Sequence, residues 1–275
     1  MFVTRFAPSP TGLLHRGHAF SALTAREAAR DAGGRFLLRI EDIDRTRCRP
    51  DYEAAIFEDL AWLGLEWEAP VRRQSDHMAD YQAALDGLAA RGLTYRCFRT
   101  RREIAEAIEA APHGAMEVWR CARLPPNEEA RRLEAGEAYA WRLSLEAAER
   151  ELGGFEALTF TEEGRGVIQA RPGLGGDVVL ARKDVGVAYH LAVVHDDALQ
   201  DVTQVIRGED LFEATHVQRL LQALLGLPTP AYRHHRLLTG PDGKRFAKRD
   251  GAQTLRSLRE AGMTPAALRT EMGFD

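Results

Sequence analysis

The sequence predicts an α/β protein in which a parallel nucleotide-binding sheet is interrupted by an inserted subdomain and followed by a short helical tail. Three observations carry this. An apolar run at the start, a helical run and a second apolar run ending at Ile40 follow one another in the order of a βαβ unit. Apolar segments of strand length return after Asp177. Between them, from Arg99 to Gly176, the chain turns polar and rich in Glu and Arg, and is broken by Pro112, Pro125 and Pro126.

Taken in order, Phe2 to Ala7 reads as a strand closed by the turn-forming run Pro8-Ser9-Pro10-Thr11-Gly12. Gly17 to Arg30 carries Phe20, Leu23, Ala25 and Ala28 at helical spacing and stops at Gly33-Gly34. Arg35 to Ile40 reads as a buried strand ending in Glu41-Asp42-Ile43-Asp44, which places acidic groups where open α/β sheets of the Rossmann-like kind bind ligands. Tyr52 to Leu63 and Asp76 to Ala90 have helical periodicity, and Leu93 to Phe98 is strand-like. Beyond the polar segment, which Arg171-Pro172-Gly173-Leu174-Gly175-Gly176 closes, Asp177 to Ala181, Ala188 to Val194 and Val202 to Ile206 read as strands. Leu211 to Leu225 is an amphipathic helix, and a helical tail follows Asp250. The expected division is 1–98 and 177–250 for the two halves of the catalytic domain, 99–176 for the insertion and 251–275 for the tail.

With 275 residues and 45% hydrophobic content, the chain can bury a substantial core. No charged segment leads into an apolar one at the N-terminus and no run is long enough to span a bilayer, so no membrane partner and a cytoplasmic location are expected. The three cysteines, Cys48, Cys97 and Cys121, are too few and odd in number for a disulfide framework. A net charge of -4 and a pI near 6.2 exclude a whole-surface grip on nucleic acid, so any such contact must be local. Lysine is scarce: Lys183, Lys244 and Lys248 stand among 37 cations, and two of them share one short segment.

His15-Arg16-Gly17-His18 lies between the first strand and the first helix. The glycine admits close backbone approach, the helix start favours phosphate, and imidazoles can donate to phosphoryl oxygens as charge develops. On its own the pattern fits a capped helix start equally well. The whole run from Arg5 to His18, however, closely resembles the opening of the glutamyl- and glutaminyl-tRNA synthetase family. The resemblance assigns Arg5, Ala7 and Ser9 to the amino acid and His15, Gly17 and His18 to ATP, and it turns Glu41 toward the substrate's α-ammonium. Asp42 and Asp44 are also readable as structural loop residues. A second block, Tyr189-His190-Leu191-Ala192-Val193-Val194-His195-Asp196-Asp197 followed by Val205-Ile206-Arg207-Gly208-Glu209-Asp210-Leu211, matches the family in wording and order. It implies that Tyr189 and Arg207 complete the amino-acid pocket. Two arginines and one glutamate then face the substrate, a balance that suits glutamate better than glutamine.

A third block, Gly243-Lys244-Arg245-Phe246-Ala247-Lys248-Arg249, stands where the family carries a mobile lysine loop for ATP. Arg245 and Ala247 depart from the family pattern, whereas Lys248 keeps the position expected to meet the phosphates. The catalytic set implied is thus His15, His18 and Lys248, with Mg2+ accompanying ATP. Shortened members of the family often hold zinc in the inserted, acceptor-type subdomain. Here Cys97 and Cys121 remain, but Arg99 and Glu117 replace two ligands, so no zinc is expected unless His113 or Glu117 completes the set.

After Arg249 only 250–275 remain, short of the ~100 residues of a further domain, so no anticodon-binding domain is expected. In this the chain resembles glutamyl-queuosine tRNA(Asp) synthetases. The resemblance implies a monomer that forms glutamyl-adenylate from L-glutamate and ATP and passes glutamate to queuosine at the wobble position of tRNA(Asp). Three other readings stay open: a piece of an ordinary glutamyl-tRNA synthetase, a small adenylyltransferase, and an inactive tRNA-binding paralogue.

Overall fold

The computed structural model describes residues 1–100, 102–104, 123–182, 186–238 and 253–274. Its strands are β1 (Val3–Phe6), β2 (Arg35–Ile40), β3 (Glu68–Arg73), β4 (Thr94–Cys97), β5 (Ala140–Leu143), β6 (Thr159–Glu162), β7 (Gly166–Gln169), β8 (Val179–Arg182), β9 (Gly186–Val187), β10 (Gln204–Gly208) and β11 (Ala231–His235). The helices are α1 (Arg16–Asp31), α2 (Pro50–Trp62), α3 (Met78–Ala90), α4 (Pro126–Glu134), α5 (Leu145–Leu152), α6 (Tyr189–Leu199), α7 (Phe212–Leu225), α8 (Leu255–Glu260) and α9 (Pro265–Glu271).

The expected βαβ start is present. β1 runs parallel to β2 with Val3 opposite Arg35 and Phe6 opposite Leu38, and α1 forms the crossover. Helix α1 buries Ala19, Ala22, Leu23, Ala25 and Ala29 and hands the chain to Gly34. A Cβ on Gly34 would sit 2.4 Å from the Phe2 carbonyl oxygen, so only glycine lets the second strand come in beside the first. Two further parallel pairs follow the same plan, β2 with β3 across α2 and β10 with β11 across α7. Neither β3 nor β11 is evident in the sequence. Strand β3 contains Pro70, which is tolerated because β3 ends its sheet, and β11 carries Arg233-His234-His235 instead of an apolar run.

Strand orders are β1-β2-β3 and β10-β11-β6-β7. The two sheets adjoin where the Thr203 amide donates to the Val3 carbonyl at 2.9 Å and the Val3 amide to Thr203 Oγ1, also at 2.9 Å. From this junction one half of the sheet grows outward through β2 and β3, the other through β11. The junction is therefore a topological switch point, where open parallel sheets leave a crevice beyond their carboxyl ends.

A third sheet, antiparallel, has the order β4-β5-β8-β9. Its strands come from both sides of the boundaries expected at 98 and 176. The hairpin β6–β7 lies within 99–176 but extends the sheet of β10 and β11, Glu162 pairing with Tyr232 of β11. The expected strand at Ala188 to Val194 is corrected to helix α6. Leu191, Ala192, Val193 and Val194 are all buried, so the run shows no polar face to reveal a helical period, and its valines mimic a strand. In the tail, Leu255, Leu258, Leu268 and Met272 join Leu14, Leu23, Leu60 and Ile206 in one core.

Candidate active site

Helix α1 begins with a reciprocal cap built from the two histidines. The Gly17 amide donates to His15 Nδ1 and the His15 amide to His18 Nδ1, both at 3.1 Å. An imidazole that accepts at Nδ1 carries its neutral-form proton at Nε2, the arrangement of a donor to phosphate. The two ring centroids are 3.9 Å apart. A Cβ on Gly17 would come within 3.0 Å of His15 Cε1 and 3.2 Å of its Nδ1, so the glycine makes room for the ring. The capped helix start leaves the same residues able to serve the phosphate role expected of them.

The carboxyl ends of β1 and β2 deliver Arg5 and Arg39 to two consecutive acids of α6. Arg5 Nε donates to Asp197 Oδ1 at 2.9 Å and its Nη2 to Oδ2 at 3.3 Å. Arg39, fully buried, donates to Asp197 at 2.8 Å, to Gln200 at 2.9 Å and to Glu41 at 3.1 Å. Burial raises the Asp197 carboxyl, but the Arg5 and Arg39 guanidiniums outweigh it and hold the group below its ordinary range. Burial prevails at Glu41 and lifts it above the usual carboxylate range against the pull of Arg39 and Arg5, so an ammonium beside it would favour its charged form. Asp196 belongs to a neighbouring network with Arg72 at 2.8 Å, Tyr81 at 2.8 Å and Gln74 at 2.9 Å; burial opposes ionisation, yet His195, Arg39, Gln74 and Tyr81 hold it at about 2.

From the other half of the sheet, β10 presents Arg207. Its Nε donates to His234 Nε2 at 3.1 Å, Nη1 to Tyr189 Oη at 3.3 Å, and Nη2 to Thr215 Oγ1 at 2.7 Å and the Leu211 carbonyl at 3.1 Å. Every one of these acceptors is neutral. Arg5 shares an anion with Arg39, whereas Arg207 keeps its full charge for a ligand.

A cavity of about 410 Å³ is lined by Arg5, Ala7, Ser9, His18, Glu41, Tyr189 and Arg207, with Phe6, Pro8, Gly208 and Leu211 among its other walls. Seven residues singled out in the sequence thus surround one space, while His15 and Gly17 form the helix cap next to His18. A larger cavity of about 910 Å³ adjoins it, sharing Ser9, Thr11, Glu41 and Tyr189, and carries Phe98, Tyr139, Arg47, Arg99, Arg142 and Arg182.

Residues 1–273 match the family described as tRNA synthetases class I (E and Q), catalytic domain. The chain belongs to this family. A Glutamyl-Q tRNA(Asp) synthetase of Rhodobacter capsulatus is 49% identical over 99% of this chain and 100% of its own length. One from Symbiobacterium thermophilum is 44% identical over 100% of this chain and 86% of its own. The crystal structure of a glutamate tRNA ligase from Elizabethkingia meningosepticum in complex with its amino acid superimposes with a TM-score of 0.79 at 28% identity. That alignment covers 98% of this chain, which spans 60% of the ligase.

Several residues of this synthetase site escape sequence reasoning. Arg39 hides inside an apolar strand, Asp197 ends a motif noted for other members, and His234 and Glu162 come from strands with no apolar signature. The alternation Leu38-Arg39-Ile40 within a buried strand is the one available signal for Arg39, since a buried cation demands partners. Asp42 accepts from the Ser75 amide at 2.8 Å and hydroxyl at 2.6 Å, and Asp44 from the Thr46 hydroxyl at 2.6 Å, so both brace loops. Lys248, Arg245 and Ala247 lie outside the described residues, as do Cys121, His113 and Glu117 of the zinc question. Cys97 is buried on β4, and among the described residues no group of three or more His, Cys, Asp or Glu is placed to hold a metal. No helix among them is long and apolar enough to cross a membrane.

Proposed function

We propose that this enzyme activates L-glutamate with ATP and transfers it to queuosine at the wobble position of tRNA(Asp). The charge of the amino-acid cavity is the observation that carries the glutamate assignment. The cavity wall carries Arg5, Arg207 and Glu41, with Arg39 and Asp197 paired behind it, so the lining itself has one positive charge in excess, and glutamate brings one negative charge where glutamine brings none. Glu41 receives the α-ammonium, and Arg207 with Tyr189 receives a carboxylate; Arg5, Ala7 and Ser9 form the remaining wall.

ATP lies across the start of α1, with His15, Gly17 and His18 at its phosphates and Lys248 closing from the other motif. The glutamate carboxylate attacks the α-phosphorus, forming the mixed anhydride as pyrophosphate leaves. His15, His18 and Lys248 stabilise the charge that develops, so catalysis is by position and electrostatics. Mg2+ is expected to arrive with the nucleotide phosphates, because the described residues build no carboxylate cage for it. The larger cavity next to Glu41 and Tyr189 suits the acceptor nucleoside, with Phe98 and Tyr139 offering faces for a base and the arginines charge for phosphates. A hydroxyl of that nucleoside attacks the anhydride carbonyl and AMP departs.

Transfer of labelled glutamate to tRNA(Asp) with and without queuosine, beside tRNA(Glu), tests the reading. Labelling only of the queuosine-bearing tRNA(Asp) is expected. Charging of tRNA(Glu) with indifference to queuosine would overturn it.

A further inference from the structure

Behind Arg207 stands a buried pair that the reaction itself does not use. Glu162, at the end of β6, turns both carboxylate oxygens to one residue of β11. Oε1 accepts from the His234 backbone amide and Oε2 lies against His234 Nδ1, each at 2.8 Å. The His234 side chain is wholly enclosed and that of Glu162 is 2% exposed. A carboxylate only accepts, so it holds the proton on Nδ1. Nε2 must then offer its lone pair, and there Arg207 Nε donates at 3.1 Å. A doubly protonated ring would set two N–H groups against each other at this contact. Thr215 Oγ1 completes the cradle, 2.7 Å from Arg207 Nη2 and 3.3 Å from His234 Nε2.

We propose that His234, fixed as the Nδ1–H tautomer by Glu162, is the positioning residue that aims Arg207 at the substrate carboxylate. The inference rests on Arg207 binding that carboxylate. It gives the hairpin β6–β7 a task, since Glu162 reaches the site only because β6 has joined the edge of β11. It also explains a neutral partner behind Arg207: a carboxylate in the place of His234 would orient the guanidinium equally well but cancel the charge meant for the substrate. Burial and Arg207 lower His234 to about 4 against the pull of Glu162, in keeping with a neutral ring at physiological pH.

The test is glutamate-dependent pyrophosphate exchange with the full chain, measuring KM for glutamate and for ATP separately. His234→Leu removes the acceptor at similar volume, and His234→Gln restores an acceptor oxygen close to the Nε2 position. A rise in glutamate KM of about tenfold or more in His234→Leu, with ATP KM within about twofold and most of the loss recovered in His234→Gln, supports the proposal. Arg207→Ala is measured alongside. If it raises glutamate KM while His234→Leu leaves it within about twofold of wild type, the positioning role falls and the Arg207 assignment stands. If Arg207→Ala leaves glutamate KM unchanged, both fall. Should His234→Leu fail to fold, His234→Gln decides: glutamate KM higher by only a few-fold at unchanged ATP KM supports positioning, and equal losses for both substrates overturn it.

Discussion

Gly17 shows how little room the proposed ATP site leaves for change. Its missing side chain is occupied by the His15 ring, so Gly17→Ala would push that ring out of the cap by several tenths of an ångström. Nε2 of His15 would leave the proposed phosphate position with it. We expect pyrophosphate exchange to drop by about tenfold to a hundredfold with the melting temperature nearly unchanged, because alanine is the better helix former at this position. An active Gly17→Ala enzyme would mean that the ring has slack. Arg39 makes the opposite case, a residue whose removal is felt first in stability. Its guanidinium sits between Asp197, Glu41 and, at 3.8 Å, Asp196, so Arg39→Met leaves buried carboxylates without their cation. A loss of about 3–5 kcal/mol in urea unfolding is expected, and a loss under about 1 kcal/mol would show that water or rearrangement replaces the cation.

At the level of elements, the contact between α2 and the tail carries an unresolved cost. Asp59 is buried on α2; among the described residues neither of its oxygens has a hydrogen-bond partner, and Arg259 Nη1 stands 3.8 Å away. Burial pushes its carboxyl up to about 6, against Arg259 and Arg256. A raised folded-state value means that Asp59 favours folding below the unfolded value of about 3.9 and loses that contribution as pH rises through about 6. Asp59→Asn is expected to stabilise the protein by about 1 kcal/mol near neutral pH and to match wild type below about pH 4, as read by urea midpoints at the two pH values. Elements also mark where the sequence is legible. β1, α1 and β2 announce themselves because one apolar face, one stop signal and one buried strand follow in order. Helix α6 does not, because the consecutive run Leu191 to Val194 is wholly buried and hides the period, and β11 does not, because its polar side chains find their partners far off in sequence, His234 with Glu162, Arg207 and Thr215, Arg233 with Glu163 and Tyr232 with Gln222. The site is legible in the same measure. Motif residues are found where one loop or strand end carries them, while Arg39, Asp197, Glu162 and His234 become visible only when separate strands meet.

The whole molecule joins these charges into one pH response. His190 and His234 are lowered to about 4, chiefly by burial and then by the Arg207 guanidinium that both rings face, and His216 and His235 are lowered as well. An unfolded histidine titrates near 6.5, so between about 6.5 and about 4 the unfolded chain binds protons that the folded one refuses. Stability then rises with pH through that window. The lowered carboxylates act beneath it: Asp196 at about 2 and Asp197 below its ordinary range contribute fully above about pH 4, and that contribution fades as pH falls through their folded values. Asp59 and Glu41, both raised by burial, work in the other direction against the four lowered histidines, and the sum is expected to decline on acidification. Urea midpoints measured at about pH 7.5, 6.5, 5.5 and 4.5 should be level between the first two and fall steeply across the last two. A flat profile down to about pH 4.5 would show that the buried histidines accept protons within the fold. Arg207 would then be flanked by cations instead of neutral rings, and the single positive charge that matches glutamate would no longer describe the site.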